Sequence, residues 1–364
     1  MTAGPIRCTW MRGGTSKGAY FSASDLPRDA DERADLLLRI MGSPDPRQID
    51  GIGGAHPLTS KVAIVSPPSV PGADVDYLFL QVGVEKPLVT DRQNCGNLLA
   101  GVAPFAIERG LIRATPNQTR VRIHMLNTGG IAVATIETPD ERVRYAGNTA
   151  ISGVPGTAAP ILLEFEGTQG SSCGSLFPTG RTVDTFEGID VTCVDNGMPV
   201  VIMRASDLRI SGDEMPSELE GNSRLREKLE AIRLKAGPEM NLGDVAGLTV
   251  PKLTLVSPPL HGGSVTTRTF IPHRCHEAIG VLGAVSVATG CLVPDTPGAE
   301  VSRVHDPNAA FSCEHPTGSF EVVIELEDPA AADPRVLRAG VIRTARKLFD
   351  GDVFPRDILP SQES

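Results

Sequence analysis

The run 61-KVAIVSPP-68 returns as 252-KLTLVSPP-259, with the lysine and Val-Ser-Pro-Pro kept at identical spacing. Three further matches fall in the same order on either side of it. The stretch 9-TWMRGGTSKGAYFSASDL-26 is answered by 192-TCVDNGMPVVIMRASDL-208. Likewise 94-NCGNLLAGVAPFAIERGLI-112 is answered by 274-RCHEAIGVLGAVSVATGCLV-293, and 127-NTGGIAV-133 by 316-PTGSFEV-322. The offset stays between 180 and 191 residues. Ordered self-similarity at a near-constant offset marks a duplicated unit. Two domains of one topology are therefore predicted, 1–180 and 181–364, each with a lysine-bearing strand and a helix opened by a cysteine (Cys95 or Cys275). Each is long enough for its own core, and twin lobes favour a ligand cleft between them.

Short β-branched runs bounded by Gly, Pro or Asp dominate the chain, among them 76-DYLFLQVGV-84, 119-TRVRIHML-126, 199-PVVIMRA-205 and 320-FEVVIELE-327. Helical patterns are fewer: 29–42, 96–110, 224–237, 277–290 and 334–351, several with Asp or Asn near the start and Gly at the end. The fold class expected is α+β.

A net charge of −10 and a pI near 5.3 argue against nucleic acid or an anionic membrane as the main partner, since both need a basic face. A small anionic ligand needs only a few local cations. No apolar run reaches the ~18 residues of a membrane span, and the N-terminus lacks the apolar core of a signal peptide. A cytoplasmic protein is expected. Seven cysteines without a C-x-x-C pair fit neither a disulfide framework nor a zinc ribbon. The seven histidines form no H-x-x-x-H or H-E-x-x-H, and G-x-S-x-G is absent. Metal hydrolysis and serine hydrolysis are both disfavoured. Proton transfer without a cofactor remains, using a thiol and an amine.

Cys95 is the candidate thiol. Its frame, Gln-Asn-Cys-Gly-Asn, is polar, and a cap at Asn94 would set it at a helix start. There the helix N–H groups and dipole favour a thiolate, or hold a carboxylate or enolate. Gly96 permits close backbone approach. The opposing reading is a buried, inert cysteine. Lys61 is the candidate amine, standing between Ser60 and Val-Ala-Ile-Val. A lysine there is ordinarily a solvated edge residue, but a partly desolvated one serves as a base near neutral pH. The run 11-MRGGTSKG-18 lacks the P-loop spacing, yet Gly13-Gly14 with Thr15, Ser16 and Lys17 offers N–H groups, hydroxyls and cations suited to carboxylates. The second half has Asp195-Asn196-Gly197-Met198 in its place.

MRGGTSKG, 43-SPDPRQIDGIGGAHPLTSKVAIV-65, 93-QNCGN-97, 195-DNGMPVV-201, 240-MNLGDV-245 and 271-IPHRCH-276 together resemble the methylaconitate isomerase family. Within it the likeness is greatest to 4-oxalomesaconate tautomerases and isomerases of aromatic-acid degradation (gallate, protocatechuate, syringate). The resemblance implies the diaminopimelate epimerase-like fold, two pseudo-symmetric domains of mainly antiparallel sheet wrapped round a central helix. It also implies no cofactor and an unsaturated tricarboxylate substrate. The family's catalytic lysine and cysteine map onto Lys61 and Cys95. Amino-acid epimerases of this fold use two facing cysteines. Cys275 lacks the Asn-Cys-Gly frame, so a two-cysteine racemase is disfavoured. His56 is a departure where an acidic residue would be expected. On this reading Lys61 removes a proton next to a carbonyl. The dienolate is held by helix N–H groups, Thr15, Ser16 and Lys17, and Cys95 returns a proton elsewhere, or the two exchange roles. Arg12, Lys17 and Arg268 would bind carboxylates. Asn94, Asn97 and Asn127 would orient the substrate, and Ser60 and Gly96 complete the binding set. Methylaconitate or aconitate isomerisation, and a non-catalytic tricarboxylate-binding accessory role, are the alternatives. A homodimer stays open.

Overall fold

The computed structural model describes residues 4–92, 95–304, 310–331 and 333–357. The chain divides into two compact units. The first holds residues 1–150, 154–163 and 343–364, and the second holds 151–153 and 164–342. The expected boundary at 180/181 is therefore displaced, and the C-terminal segment returns to the first unit. Among the described residues no helix is long and apolar enough to cross a membrane.

In the first unit the strands are β1 (Ile6–Gly13), β2 (Ser16–Ser22), β3 (Lys61–Ser66), β4 (Val75–Val82), β5 (Val89–Thr90), β6 (Asn117–Met125) and β7 (Gly130–Thr138). β8 (Ile161–Phe165) spans the sequence boundary between units. β1 and β2 are antiparallel, β2 and β3 parallel, β3 and β4 antiparallel, β4 and β6 parallel, and β6 and β7 antiparallel.

The second unit contains β9 (Asp184–Phe186), β10 (Ile189–Asp195), β11 (Pro199–Arg204), β12 (Lys252–Ser257), β13 (Val265–Ile271), β14 (Arg274–Cys275), β15 (Phe311–His315), β16 (Gly318–Leu326) and all but the last residue of β17 (Val336–Arg343). From β10 to β16 the same alternation repeats: antiparallel, parallel, antiparallel, parallel, antiparallel. The parallel pair Gly18–Lys61 has its counterpart in Val200–Lys252, so both lysines open the third strand of the repeated alternation, β3 in β1–β7 and β12 in β10–β16. The duplication read from the sequence is a duplication of topology.

Residues 334–351, expected as a helix, form β17 and then β18 (Ala345–Val353), which lies antiparallel to β1 with a bulge between Trp10 and Met11. Helical periodicity loses there to pairing partners remote in sequence, which strand propensity alone does not reveal.

Helix α1 (Ala30–Met41) obeys its signals. Asp29 caps it by accepting from the Asp31 and Glu32 amides, and Gly42 ends it in the left-handed region. Its buried face, Leu36, Leu37, Ile40 and Met41, packs on Ala19, Phe21, Val62, Ile64, Leu80 and Val82. Alternation along the strands sends Tyr20, Lys61, Tyr77, Phe79 and Gln81 to the other face. There lie α2 (Gly96–Leu99) and α3 (Val102–Glu108), which meet β1, β2 and β3. The continuous helix expected over 96–110 is broken between them. Pro104 has no N–H for the Ala100 carbonyl, and its ring crowds that position. Tyr20 instead donates its hydroxyl to the Leu98 carbonyl at 2.6 Å.

The second unit adds α4 (Pro216–Gly221), α5 (Ser223–Glu239), α6 (Val281–Leu292) and α7 (Pro297–Val301). Leu225, Leu229, Ile232 and Ala236 of α5 bury against Val201, Met203, Leu253, Leu255 and Phe270. Against the opposite face, Gly290 of α6 sits close to Ile202. Each unit thus has a sheet between a long outer helix and a helical segment on its other side.

Candidate active site

Lys61 is the first residue of β3 and only 9% exposed. The Val82 amide donates to the Ser60 carbonyl at 3.1 Å, which makes Ser60–Val82 a hydrogen-bonded pair. Lys61–Gln81 is the next pair and belongs to the non-bonded class, in which cross-strand side chains stand closest. Lys61 Nζ donates to Gln81 Oε1 at 2.9 Å and lies 4.8 Å from the centroid of the Phe79 ring. Gly18 is Lys61's neighbour on the other side. A Cβ there would collide with the Lys61 carbonyl, so only glycine lets β2 approach so closely.

Cys95 is the N-cap residue of α2 and is 8% exposed. Its carbonyl accepts the Tyr77 hydroxyl at 3.2 Å and the Leu99 amide at 3.1 Å. Burial first, then the neighbouring Cys95 thiol and Tyr20, holds the Tyr77 phenol well above its ordinary pKa, so it stays a donor. Tyr77, Phe79 and Gln81 alternate along one face of β4. Cys95 is tied to one end of that row and Lys61 to the other. Cys95, through its backbone carbonyl, and Lys61, through its amine, therefore meet the same face of one sheet.

The β1–β2 hairpin leans on the same helix. Gly14 has φ +51, and a Cβ there would strike the Asn97 side chain. Asn97 Nδ2 donates to Thr15 Oγ1 at 3.0 Å and to Ser16 Oγ at 3.4 Å. Thr15, Ser16, Cys95, Gly96 and Asn97 are thus brought together. The first amides of α2 are the donors that a helix start leaves unused, although a helix of four residues has little of the macrodipole expected of a longer one.

Several expected binding residues are employed elsewhere. Asn127 accepts from the Phe79 amide at 2.8 Å and donates to the Phe79 and Asp91 carbonyls at 2.9 and 2.8 Å. It is a strut that prolongs the β4–β6 ladder. Ser60 is fully buried and gives its hydroxyl proton to Gln48 Oε1 at 2.7 Å. Arg12 Nη1 donates to the Gly14 carbonyl, the Thr344 carbonyl and Thr344 Oγ1 at 2.9 to 3.1 Å. Burial, and then Arg346, lowers the pKa of Arg12. Lys17 alternates with Ala19 and Phe21 and so takes the α1 face, away from Ser16. Arg268 belongs to the second unit, where it is 6% exposed and donates to the carbonyls of Glu214 and Thr267 at 2.7 and 2.9 Å. Asn94 lies outside the described residues.

Cys275 does not open a helix. It sits in β14, opposite Phe270, within the core under α5. Burial pushes its thiol up to about 11, against the lowering effect of Arg268. By position at the helix start, the counterpart of Cys95 is Gly280, the N-cap residue of α6. The sequence match at cysteine was a coincidence of spacing. Gln81 and Tyr77 escaped notice because each is a single polar group inside an apolar strand. Their signal was inward parity with Lys61's partner face.

A family described as PrpF protein matches residues 4–356. The (4E)-oxalomesaconate Delta-isomerase of Novosphingobium sp. (strain KA1) is 59% identical over 348 residues, covering 95% of this chain and 96% of that protein. The 4-oxalomesaconate tautomerase of Pseudomonas putida is 54% identical over 349 residues, with 96% and 95% covered. A crystal structure of methylitaconate-delta-isomerase superposes with a TM-score of 0.86 at 35% identity, over 97% of this chain and 96% of that one. A probable proline racemase at 14% identity and TM-score 0.50, covering 98% and 94%, shares the fold alone, the diaminopimelate epimerase-like α+β class.

Proposed function

Because the chain belongs to the PrpF family, and its relatives at high identity are isomerases, we propose that it is an isomerase acting on 4-oxalomesaconate or a near analogue. The chemistry is the movement of one proton, and with it a double bond, in an unsaturated tricarboxylate. Lys61 and Cys95 are the acid–base pair. One takes a proton from carbon next to a carbonyl, the electron pair delocalises into a dienolate, and the other protonates a different atom of the conjugated system. Either assignment of the two roles balances. The amides at the start of α2, with Thr15, Ser16 and Asn97, face developing negative charge. Thr15 and Asn97 are the residues most open to the ligand. The pathway setting is the breakdown of aromatic acids, and the chemistry needs no cofactor.

The observation that carries this reading is the anchoring of the Lys61 amine and of the Cys95 backbone carbonyl to opposite ends of one row on β4. Proton NMR in deuterated water with 4-oxalomesaconate tests it. Deuterium is expected at one carbon as the conjugated absorbance changes, and the labelled carbon separates tautomerisation from allylic isomerisation. Lys61→Met and Cys95→Ala are each expected to lower kcat by ~10²–10⁴-fold. Turnover within a few-fold of wild type in both variants would overturn the assignment. Faster turnover of methylaconitate than of 4-oxalomesaconate would move the substrate but keep the chemistry.

A further inference from the structure

We infer that Gln81 is a positioning residue for the reaction, a neutral tether that aims the Lys61 amine. The inference rests on the reading of Lys61 as a proton-transfer group. Gln81 Nε2 is surrounded by the carbonyls of Ser60, Pro57 and Val82 at 3.0, 3.1 and 3.3 Å. Three acceptors at one end of a side-chain amide dictate its orientation, since a flip would set oxygen against oxygen. Oε1 must then face Lys61 Nζ, where it stands at 2.9 Å. The Phe79 ring closes a second direction around the same nitrogen.

A neutral acceptor suits an amine that gains and loses a proton. Both the ammonium and the free amine have an N–H to give it, so the tether survives the transfer in either direction. When the amine is neutral its lone pair is directed away from Gln81. A carboxylate in that place would favour the charged form instead.

The duplicated unit supplies an internal contrast. Lys252 opens β12 as Lys61 opens β3. Extending the β12–β13 register by one pair sets Ile271 opposite Lys252, where Gln81 stands in the first unit. The half with the polar hairpin and the capping cysteine is the half whose lysine has an amide partner.

Gln81→Met and Gln81→Glu, beside Lys61→Met, test the inference on the full chain. Misplacing a catalytic group by about 1 Å costs on the order of 10²-fold. Gln81→Met is expected to lower kcat ten- to a hundred-fold with KM within about threefold. Combined with Lys61→Met it is expected to add no further loss, because it acts through Lys61. Gln81→Glu is expected to move the limb of the pH–rate profile that Lys61 carries to higher pH, which a purely structural role would not do. If Lys61→Met is inactive while Gln81→Met keeps wild-type kcat, or Gln81→Glu leaves the profile in place, the inference is overturned. If Lys61→Met itself turns over normally, it is the proposed function that fails. Melting temperatures identify any variant that fails to fold, and the other Gln81 variant then decides.

Discussion

Tyr77 donates its hydroxyl to the backbone carbonyl of Cys95 at 3.2 Å, from the same face of β4 that carries Phe79 beneath Lys61 Nζ. The phenol is fully buried and remains protonated at any working pH. It thus fixes the capping residue of α2 relative to the strand that holds the amine. Tyr77→Phe keeps the ring and removes only this bond. The Cys95 carbonyl keeps the Leu99 amide, so the loss is that of one hydrogen bond, ~0.5–1.5 kcal/mol. The variant is expected to melt a few degrees lower and to lose kcat more than KM. An unchanged melting temperature together with unchanged kcat would show that the hydroxyl holds nothing.

Asn127 prolongs the β4–β6 ladder with its side chain and reaches the Asp91 carbonyl, just ahead of the segment that leads to Cys95. Asn127→Asp retains an acceptor for the Phe79 amide but sets a carboxylate against two carbonyls. Loss of ~1–3 kcal/mol of stability is expected, with a fall in kcat as the Cys95 segment shifts. Thermal melting and steady-state kinetics read the two effects. A selective rise in KM at normal stability would instead restore Asn127 as a substrate-orienting group.

Gly18 separates Lys61 from Leu98 of α2, and both lie within collision range of an added Cβ. The obstacle on the Lys61 side is backbone, so it cannot swing away. Gly18→Ala should push β3 off β2 at Lys61, with a loss of kcat at least tenfold by misplacement if Lys61 transfers the proton as proposed. Gly110→Ala serves as a comparison, since open space surrounds that position. It carries only the backbone cost of a positive φ, and kcat should stay at the wild-type value. Equal kcat in the two variants would remove the argument for close approach.

The repeat around Lys61 and Lys252 was legible in sequence because short identical runs survived at one structural position, the opening of a strand. The cysteine repeat was not, because Cys275 is a core residue and Gly280 took the helix start. α1 declared itself through Asp29 and Gly42, local signals that need no partner. β17 and β18 did not, since their identity depends on β16 and β1, far off in the chain. Lys61 and Cys95 stand out in the sequence by residue type and frame. Ser60, Asn127, Arg12 and Arg268 have the same chemical types as binding groups, and only hydrogen-bond geometry reveals the structural bonds they make: Ser60 and Asn127 through their side chains, Arg12 through Nη1 and Arg268 through Nε and Nη1.

Glu314 gives the second unit a pH dependence whose sign follows from its partners. Burial raises its pKa, but the Thr266 hydroxyl and the amides of Leu260, Gly263 and His261 outweigh that and hold it below the ordinary glutamate range. Those bonds run from 2.6 to 2.8 Å. A group with a depressed native pKa adds stability above its unfolded value of ~4.3. That contribution disappears as pH falls through the lower native value. Glu314→Gln keeps the shape but sets an NH₂ group among donors, so it is expected to lower the melting temperature at pH 7. The gap from wild type should narrow steadily below pH ~4.3 and close in stronger acid, where wild-type Glu314 is itself protonated. Melting curves of both proteins from pH 7 to pH 3 measure the gap directly. A gap of constant size across that range would mean that the carboxylate charge contributes nothing to holding the 260–263 turn.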